Sequence, residues 1–430
     1  MSIFCNFCGK KIINNLAKVY EMSRLFQLYL IVVFLLLQNI VTAQMGCTDS
    51  QAMNYDATAT TNNGSCEYAT TNYSLQEIAI LTTPILETSG LAFFDNQLWT
   101  HNDAGNEDKI YQIDTMTGAI LNTVIIANSE NTDWEDLAED DTHIYIGDFG
   151  NNAGNRMDLK IYKCLKSQLA SGIATAEVIE FSYEDQTDFT VNNNNNNYDC
   201  EAFFFYNDSL HLFSKNWVDQ QTRHYVIPSQ PGTYVADLRE SMDAQGLITG
   251  ADISDDGVVA FISYNTSSGK NAMWLCFDFQ GSDFFSGNKR KISLGLALNN
   301  SQTEAIVFRE NGYGYVSSEQ FASLEAKLLS FESAQWTEEV MTDLEDLKLE
   351  NTPFEIFPNP VSENVNILFK KEGEYQISLI DVNGRVLKKE KYVGNGVLNW
   401  DVNELLSNLG VYFFSIKYEE NVWVERIIVR

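Results

Sequence analysis

Basic residues, histidine and proline are scarce in this sequence. Its 28 Lys and Arg stand against 59 Asp and Glu, a formal net charge of −31, which argues against nucleic acids and anionic membrane surfaces as partners. There are only four histidines, and the G-x-S-x-G, H-E-x-x-H and P-loop motifs are missing, so no familiar nucleophile, zinc-protease or nucleotide chemistry has a complete residue set. The six prolines accompany 20 Tyr and 26 Phe, a composition that favours strands.

The negative charge is concentrated in the middle of the 430 residues. Residues 354–430 hold 9 basic and 11 acidic side chains and residues 1–43 hold 4 and 1, so nearly all of it lies in residues 44–353. Such a surface repels anionic substrates or collects divalent cations. Because 44% of the residues are hydrophobic, we expect packed cores rather than disorder, in more than one domain.

The first 43 residues predict a secretory signal. Residues 22–43 combine Arg24, an apolar run at 25–37 and a small-residue exit that ends at Ala43, which is typical of a cleaved signal peptide. Thirteen apolar residues are few for a membrane span, so we expect no transmembrane segment in the mature protein. Residues 1–21 would then be a mis-assigned N-terminal extension, with Met22 as the initiator.

Residues 44–70 form a small module that Cys47 and Cys66 should close as a disulfide in an exported chain. It resembles a short GCTD…A.NY…A…GSC.Y module at the front of secreted bacterial surface proteins. Its side-chain oxygens predict either a calcium loop or a polar spacer, and they belong to Asp49, Asn54, Asp56, Asn62 and Asn63. Buried free thiols are expected at Cys164, Cys200 and Cys276.

Five hairpins of one plan follow one another between residues 88 and 331. Each has an entrance residue and a polar corner 12 to 14 residues later, and the entrances are 45, 66, 49 and 54 residues apart. The entrance residues are Gly90, Glu135, Glu201, Gly250 and Glu304. Repeats of one four-stranded unit predict an all-β fold, a β-propeller of five or six blades at residues 72–335.

Two segments bear on the closure of this ring. Residues 73–81 predict a strand that completes the last blade, because the segment 326–331 is followed by no obvious fourth strand. The 66-residue interval between Glu135 and Glu201 holds either an irregular sixth blade or an insertion. The polar run at residues 192–197 predicts a loop and favours the insertion.

Hairpin closure predicts a polar cluster at one mouth of the central channel, because the start of each inner strand lies beside the end of its antiparallel neighbour. The candidate metal ligands are Glu135, Asp148, Glu201, Asp252, Glu304 and Glu319. The same face includes His101, Asn102, Asp103, Asn216 and Lys215. Lys215 is expected as a salt-bridge partner, with contact to a substrate phosphate as the alternative. Converging carboxylates repel one another unless a cation lies among them, so we expect Ca²⁺ or another hard divalent ion. Carboxylates that only bond blade to blade are the alternative.

Two functions are compatible with this face. The first is a binding or interaction module at the cell surface. The second is a metal-dependent hydrolase of phosphoesters, esters or lactones, with His101 as the candidate base. Because no complete catalytic set can be named, the sequence favours binding.

After an acidic linker at residues 336–353, residues 354–430 predict a small Ig-like β-sandwich of closely spaced strands. Its motif residues are Pro358, Asn359, Pro360, Asp381, Gly384, Gly410 and Tyr412. In this order they resemble the type A C-terminal sorting domain of the type IX secretion system. The resemblance implies export from a Gram-negative bacterium through the type IX translocon, followed by attachment to surface polysaccharide or release.

Residues 88–331 resemble, more loosely and through the repeat plan alone, secreted propellers of the phytase-esterase-like and six-bladed lactonase kinds. Those propellers hold calcium or another divalent ion with carboxylates at the starts of inner strands. The resemblance therefore implies the same role for the acidic entrance residues of this chain.

Overall fold

The computed structural model describes Arg24 and residues 44–297, 301–310, 312–337, 353–358, 361, 364–381, 385–401, 410–418 and 421–429. The predicted leader and the predicted linker lie almost wholly outside these residues. The chain divides into two compact units, Met1–Val340 and Met341–Arg430. Within the described ranges, no helix has the length and apolar character needed to cross a membrane.

The complete regular elements of the first unit, among the residues that the structure describes, are strands and two one-turn helices. The strands are β1 (Met45–Gly46), β2 (Thr61–Asn62), β3 (Thr71–Asn72), β4 (Gln76–Ile80), β5 (Thr88–Phe94), β6 (Gln97–Asn102), β7 (Lys109–Ile113), β8 (Ile120–Ala127), β9 (Trp134–Glu139), β10 (His143–Asp148), β11 (Lys160–Leu165), β12 (Ile173–Thr175), β13 (Glu177–Tyr183), β14 (Asp199–Tyr206), β15 (Ser209–Lys215), β16 (Gln221–Pro228), β17 (Gly232–Asp243), β18 (Leu247–Ile253), β19 (Val259–Asn265), β20 (Lys270–Phe277), β21 (Asn288–Leu296), β22 (Thr303–Glu310), β23 (Tyr313–Ser318) and β24 (Lys327–Glu332). The helices are α1 (Lys166–Leu169) and α2 (Ala334–Thr337).

These strands form a five-bladed propeller, which confirms the predicted fold class. The blades are β5–β8, then β9, β10, β11 and β13, then β14–β17, β18–β21, and finally β22–β24 with β4. The inner strands β5, β9, β14, β18 and β22 lie next to one another in a closed ring. The long interval after Glu135 supplies β11 and β13 to blade 2 and β12 to the edge of blade 1, so it is an insertion of strands and loops, and it holds no sixth blade among the described residues.

The ring closes, and its outer edges are mostly covered. The N-terminal strand β4 pairs antiparallel with β24, as the sequence predicted, and joins the two ends of the propeller. Parallel pairs add β12 to β8, β13 to β17 and β3 to β21. Because an open edge strand is a template for pairing with other chains, these additions protect four of the five blades.

The hydrophobic core lies between the blades, and strand alternation divides it. Ile306 and Phe308 of β22 pack toward blade 4, whereas Ala305 and Val307 pack toward blade 1. Successive side chains of a strand point to opposite faces, so every blade interior contributes to two layers. The three free cysteines are buried in these layers, as predicted.

The N-terminal module packs on blade 4 and contains the predicted Cys47–Cys66 disulfide. The five side chains proposed for calcium all accept hydrogen bonds inside the module. The donors are the N–H groups of residues 51, 58, 64, 65 and 67 and the Tyr68 hydroxyl, and Asp49 accepts with both oxygens. These bonds hold the turns of the module, which fits the spacer interpretation.

The second unit is a two-sheet β domain, as predicted. One sheet has the order β25 (Phe354–Phe357), β26 (Asn364–Phe369) and β29 (Gly396–Asp401), and the other has β28 (Val386–Val393), β27 (Glu374–Asp381), β30 (Gly410–Tyr418) and β31 (Asn421–Val429). Both sheets contribute to one core around Trp400 and Phe414. Of the predicted sorting residues, Asp381 and Tyr412 are cross-strand partners, Gly410 begins β30 and Pro358 follows β25, while Asn359, Pro360 and Gly384 lie outside the described residues.

Candidate functional site

Every inner strand of the propeller has a β-bulge at the same level of the channel. The pairing of each inner strand with its neighbour shifts by one residue there. A bulge removes one residue from the ladder and redirects its side chain. The bulge residues are Ser89 and Gly90, Glu135 and Asp136, Glu201, Thr249, and Glu304. Three blades therefore send a glutamate toward one mouth of the channel.

In blades 1 and 4 the bulge instead closes the contact with the next blade. Ser89 Oγ donates to the Glu135 carbonyl at 2.7 Å, and Thr249 Oγ1 donates to the Thr303 carbonyl at 2.8 Å. The adjacent glycine is required there, since a Cβ at Gly250 would lie 2.8 Å from a backbone oxygen of blade 5. These two blades have hydroxyl and glycine residues where the other three have carboxylates.

We call the resulting cluster the acidic mouth. Its carboxylates belong to Asp103, Asp133, Glu135, Asp199, Glu201, Glu304 and Glu319, and its internal cation is Lys215. Two overlapping sets of three each bring ligand oxygens within 4.8 Å of one another, namely Asp103, Asp133 and Glu135, and Glu135, Asp199 and Glu201. Glu135 is the member common to both sets.

Two members of the second set, Glu201 and Asp199, already have partners in the protein. Lys215 Nζ lies 2.6 Å from both carboxylate oxygens of Glu201, which confirms its predicted role as a salt-bridge partner. Burial opposes the charge on Lys215, but the surrounding acidic groups, Glu201 first among them, together outweigh it and raise the pKa of Lys215. The Asp199 oxygens accept the Asn151 N–H at 2.5 Å and the Trp217 Nε1–H at 2.8 Å.

The first set lacks such partners. Within the described part of the chain, the carboxylates of Asp133 and Glu135 form no hydrogen bond or ion pair, and Asp103 only accepts the N–H of Ala104 at 2.5 Å. Only 5% of Glu135 is exposed to solvent. A buried carboxylate without a partner is costly, so a cation among these three side chains would remove a large electrostatic penalty.

The pKa values of this set reflect the same crowding. Burial, followed by the nearby carboxylates of Glu201 and Asp103, raises the pKa of Glu135 well above its usual value. Burial and the carboxylates of Asp103 and Asp199 raise the pKa of Asp133 to about 7. Without a cation, Asp133 therefore binds a proton near neutral pH, and the pKa of Glu135 is shifted in the same direction.

Gly150 makes room for the first set. It follows β10, and a Cβ there would overlap Glu135 Oε1 and lie 2.5 Å from Asp133 Oδ2. The glycine thus provides the space in which the two carboxylates approach each other.

If these carboxylates hold a divalent cation, replacement of Gly150 by alanine will weaken its binding by at least about tenfold, since a charged ligand displaced from the ion costs more than about 1.4 kcal/mol. Calorimetric titration of Ca²⁺ into wild-type and G150A protein measures the effect, and circular dichroism checks that the variant folds. A folded G150A protein with wild-type affinity would contradict this assignment.

Asp148 and Asp252, both predicted ligands, belong to neither of the close carboxylate sets. Asp148 forms an ion pair with Arg156 at 3.0 Å and accepts the Asp133 N–H at 3.0 Å. Asp252 lies two residues beyond the level of Gly250 in β18, and its Oδ2 accepts the Phe308 N–H at 2.7 Å. It lines a cavity of about 650 Å³ at the opposite mouth, next to the hairpin turns. The prediction placed the bulge and the end of the strand at the same height along the channel. It was therefore wrong about the location of Asp252.

The other predicted residues are placed as follows. Glu304 accepts the Gln302 amide N–H at 2.6 Å. Burial, followed by the Glu319 carboxylate, raises the pKa of Glu304. Burial, followed by the Asp103 carboxylate, raises the pKa of Glu319 to about 7.

His101 is completely buried, with Nδ1 2.9 Å from the Asn102 carbonyl oxygen and its ring against Trp134. Burial lowers the pKa of His101 to about 4, so its imidazole is neutral and faced by protein. Its role as a base stays a prediction.

Three acidic residues of the structure were not predicted from the sequence, although a sequence pattern marks two of them. Asp133 and Asp199 each stand two residues before a bulge glutamate, in Asp133-Trp134-Glu135 and Asp199-Cys200-Glu201. The repeated D-x-E pattern marks the two blades that form the oxygen-rich sector. The third is Asp136, for which no sequence signal exists because its partners are backbone N–H groups of other blades.

Comparison with known proteins identifies the C-terminal part of the chain. Residues 355–430 match the family model described as a secretion system C-terminal sorting domain. No curated protein matches the chain.

Three solved structures illustrate the likeness of fold. A gluconolactonase from Xanthomonas campestris is 11% identical, with 57% of this chain and 72% of that chain covered and a TM-score of 0.32. A putative 6-phosphogluconolactonase from Bacteroides uniformis is 12% identical, with 76% and 88% covered and a TM-score of 0.28. A xylan β-1,4-xylosidase from Bacillus halodurans is 11% identical, with 67% and 53% covered and a TM-score of 0.33.

Proposed function

Because residues 355–430 are a type IX secretion sorting domain, we propose that this chain is an exported binding module whose propeller holds a divalent cation at its acidic mouth. The sorting domain makes the type IX secretion machinery a partner and implies secretion to the cell surface or outside. Attachment to surface polysaccharide is part of the proposal, with release as the alternative, and so is the predicted signal peptide.

The observation that carries the cation is the state of Glu135. The Glu135 side chain is buried, and its carboxylate has no protein partner in the described residues. One of its oxygens nevertheless lies within 4.8 Å of an oxygen of Asp103 and an oxygen of Asp133. Oxygens bound to one Ca²⁺ at about 2.4 Å can be no more than about 5 Å apart. The three oxygens already lie within that limit.

Calcium is the ion that best fits this donor set. All three side chains offer hard carboxylate oxygens and no nitrogen or sulfur, which selects calcium, magnesium or manganese over zinc and copper. Calcium accepts irregular sets of oxygen ligands completed by water, whereas magnesium requires near-octahedral geometry. A set drawn from two blades is more readily arranged for calcium.

The hydrolase alternative is favoured by one observation. Glu304 and Glu319 lie in the same mouth, and both have raised pKa values, that of Glu319 being about 7. Carboxyl groups that titrate near neutral pH are suited to general acid–base catalysis. Turnover of an ester, lactone or phosphoester that is lost in an E319Q variant would favour the enzyme over the binding module.

The thermal stability of the protein tests the cation. In EDTA, the raised pKa values of Asp133 and Glu135 mean that the folded state binds more protons than the unfolded state. This contribution to stability is present at low pH. For Asp133 it is lost as pH rises from 3.8 through about 7, and for Glu135 it is lost as pH rises well above 4.5. Calcium replaces those protons. We therefore expect saturating calcium to raise the melting temperature by several degrees at pH 8 and by much less at pH 5.

The measurement is a pair of melting curves at each pH value, one in EDTA and one in 5 mM CaCl₂. An equal rise at the two pH values, or no rise at pH 8, would count against a cation held by these carboxylates. An E135Q variant, which lacks the shared ligand, should lose most of the calcium-dependent rise.

A further inference from the structure

Blade 3 contains a chain of three titratable side chains outside the acidic mouth, two buried histidines and a glutamate whose side chain is 19% exposed. His211 of β15, His224 of β16 and Glu240 of β17 point to the same side of the sheet, and His224 and Glu240 are direct cross-strand partners. His211 Nδ1 lies 2.8 Å from His224 Nε2, and His224 Nδ1 lies 3.2 Å from Glu240 Oε1. At the other end, His211 Nε2 lies 3.1 Å from the Tyr206 carbonyl oxygen.

The positions of the protons follow from the end of this chain. The Tyr206 carbonyl can only accept, so His211 Nε2 carries a hydrogen. In a neutral His211 the Nδ1 atom then accepts from the Nε2–H group of His224, which leaves His224 Nδ1 bare. The contact of that atom with Glu240 needs one further proton, held either by the carboxyl group or by the imidazole.

The surroundings place this proton on Glu240. Burial lowers the pKa of both His211 and His224 to about 3 and raises the pKa of Glu240 to about 7. The charged groups that face the chain are few. Arg239 lowers the pKa of both imidazoles, Asp283 raises the pKa of His224 and of Glu240, and Lys289 lowers that of Glu240.

A segment of the neighbouring blade covers this chain. Residues 278–287, which we call the strap, connect β20 to β21 of blade 4 and reach over blade 3. The Phe284 ring lies 5.1 Å from the His211 ring and 5.0 Å from the His224 ring. The Phe285 N–H donates to both Glu240 oxygens at 3.2 Å.

The strap also holds the disulfide module. Asn62 Nδ2 and Thr48 Oγ1 donate to Asp278 Oδ2 at 2.8 and 3.2 Å. Gly64 packs so closely on the strap that a Cβ there would overlap the Ser286 carbonyl oxygen. The strap therefore joins the His211–His224–Glu240 chain on one side to the N-terminal module on the other.

We propose that a single buried proton in the His211–His224–Glu240 chain controls how firmly the strap, and with it the disulfide module, docks on blade 3. With the proton in place, every polar atom of the chain has a partner. Without it, the bare His224 Nδ1 faces an ionised Glu240, of whose side chain only 19% is exposed, and this repulsion and the partial loss of solvation oppose docking. The ionised carboxylate still accepts the Phe285 N–H, which offsets only part of that cost.

The Glu240→Gln variant imitates the protonated state at every pH. Its amide N–H can donate to His224 Nδ1 while its amide oxygen accepts the Phe285 N–H. Burial under the strap raises the pKa of Glu240 from 4.5 to about 7, so wild-type Glu240 ionises at a cost to docking that glutamine does not have. We therefore expect strap amides in the full chain to exchange hydrogen more slowly in E240Q than in wild type. The expected ratio is up to ~100-fold at pH 8 and only a few-fold at pH 5.

Hydrogen–deuterium exchange of strap peptides at the two pH values provides the test. The control is E184Q, because Glu184 also accepts a backbone N–H, that of Leu238 at 2.9 Å, without a histidine partner. Faster strap exchange in E240Q at both pH values, or one constant ratio, would overturn the proposal. Should E240Q fail to fold, ¹⁵N shifts of the wild-type His224 ring decide, since a doubly protonated His224 at pH 6 would overturn it too.

Discussion

At the proposed cation site, replacement of Glu135 by glutamine is expected to weaken the binding of Ca²⁺ by about 100-fold or more. Glu135 is the side chain common to both sets of close carboxylates, and it has no partner in the described residues that could compensate for its loss. The loss of a charged ligand changes calcium affinity by orders of magnitude, and 100-fold corresponds to about 2.7 kcal/mol. Calorimetric titration of wild-type and E135Q protein at pH 8 measures the change.

Two matched substitutions make this result specific. Asp252→Asn removes a carboxylate from another inner strand, but at the opposite mouth, and it should leave calcium affinity unchanged. Glu304→Gln removes the bulge carboxylate of blade 5, which lies outside both close sets, and it should cost less than E135Q. Equal losses in E135Q, E304Q and D252N would instead support a ring of equivalent carboxylates and would refute the site described above.

Replacement of Asp136 by alanine will lower the free energy of unfolding of the propeller by roughly 3–6 kcal/mol. The Asp136 side chain is completely buried, and it accepts the N–H groups of Leu137 at 2.8 Å, Phe203 at 3.2 Å and Ala251 at 3.4 Å. These donors belong to the inner strands of blades 2, 3 and 4. Each buried N–H left without an acceptor costs about 1–3 kcal/mol, and the three losses coincide at the channel.

Urea denaturation of the wild-type and D136A proteins measures this loss. The control is Asp114→Ala, because Asp114 also accepts three hydrogen bonds, from Met116 and Thr117, but in an exposed turn where water replaces it. We expect D114A to cost far less than D136A, and D136N, which retains one acceptor oxygen, to fall between them. Equal decreases in the free energy of unfolding for D114A and D136A would show that the position of Asp136 between blades adds no stability beyond that of an exposed turn.

The blade plan could be predicted from the sequence because its signals are local. A turn after the entrance residue and alternating side chains in the next strand specify a hairpin, and hairpin closure places a strand start beside a partner's end. Thus Glu201 and Lys215 were expected on one face, and they form an ion pair. The closing strand β4 was also predictable, because the last blade lacked a fourth strand of its own.

The level of each side chain along the channel was not predictable in the same way. Gly250 and Asp252 differ by only two residues, yet Gly250 packs at the bulge and Asp252 lies at the opposite mouth. Nothing in the local sequence states where a bulge removes a residue from the ladder. Asp148 shows the same limit, because its partner Arg156 lies in a loop whose path the strand pattern does not determine.

The sequence by itself therefore determined the class of fold, the order of the blades, the disulfide and the sorting domain, since turn chemistry, side-chain alternation and motif order are properties of neighbouring residues. Only the tertiary structure decided which carboxylates meet. Asp103 comes from blade 1, and Asp133 and Glu135 come from blade 2, so their approach depends on how two blades pack. That packing is decided by bulges and by close contacts at Gly90 and Gly150, where the absence of one carbon atom allows two segments to meet.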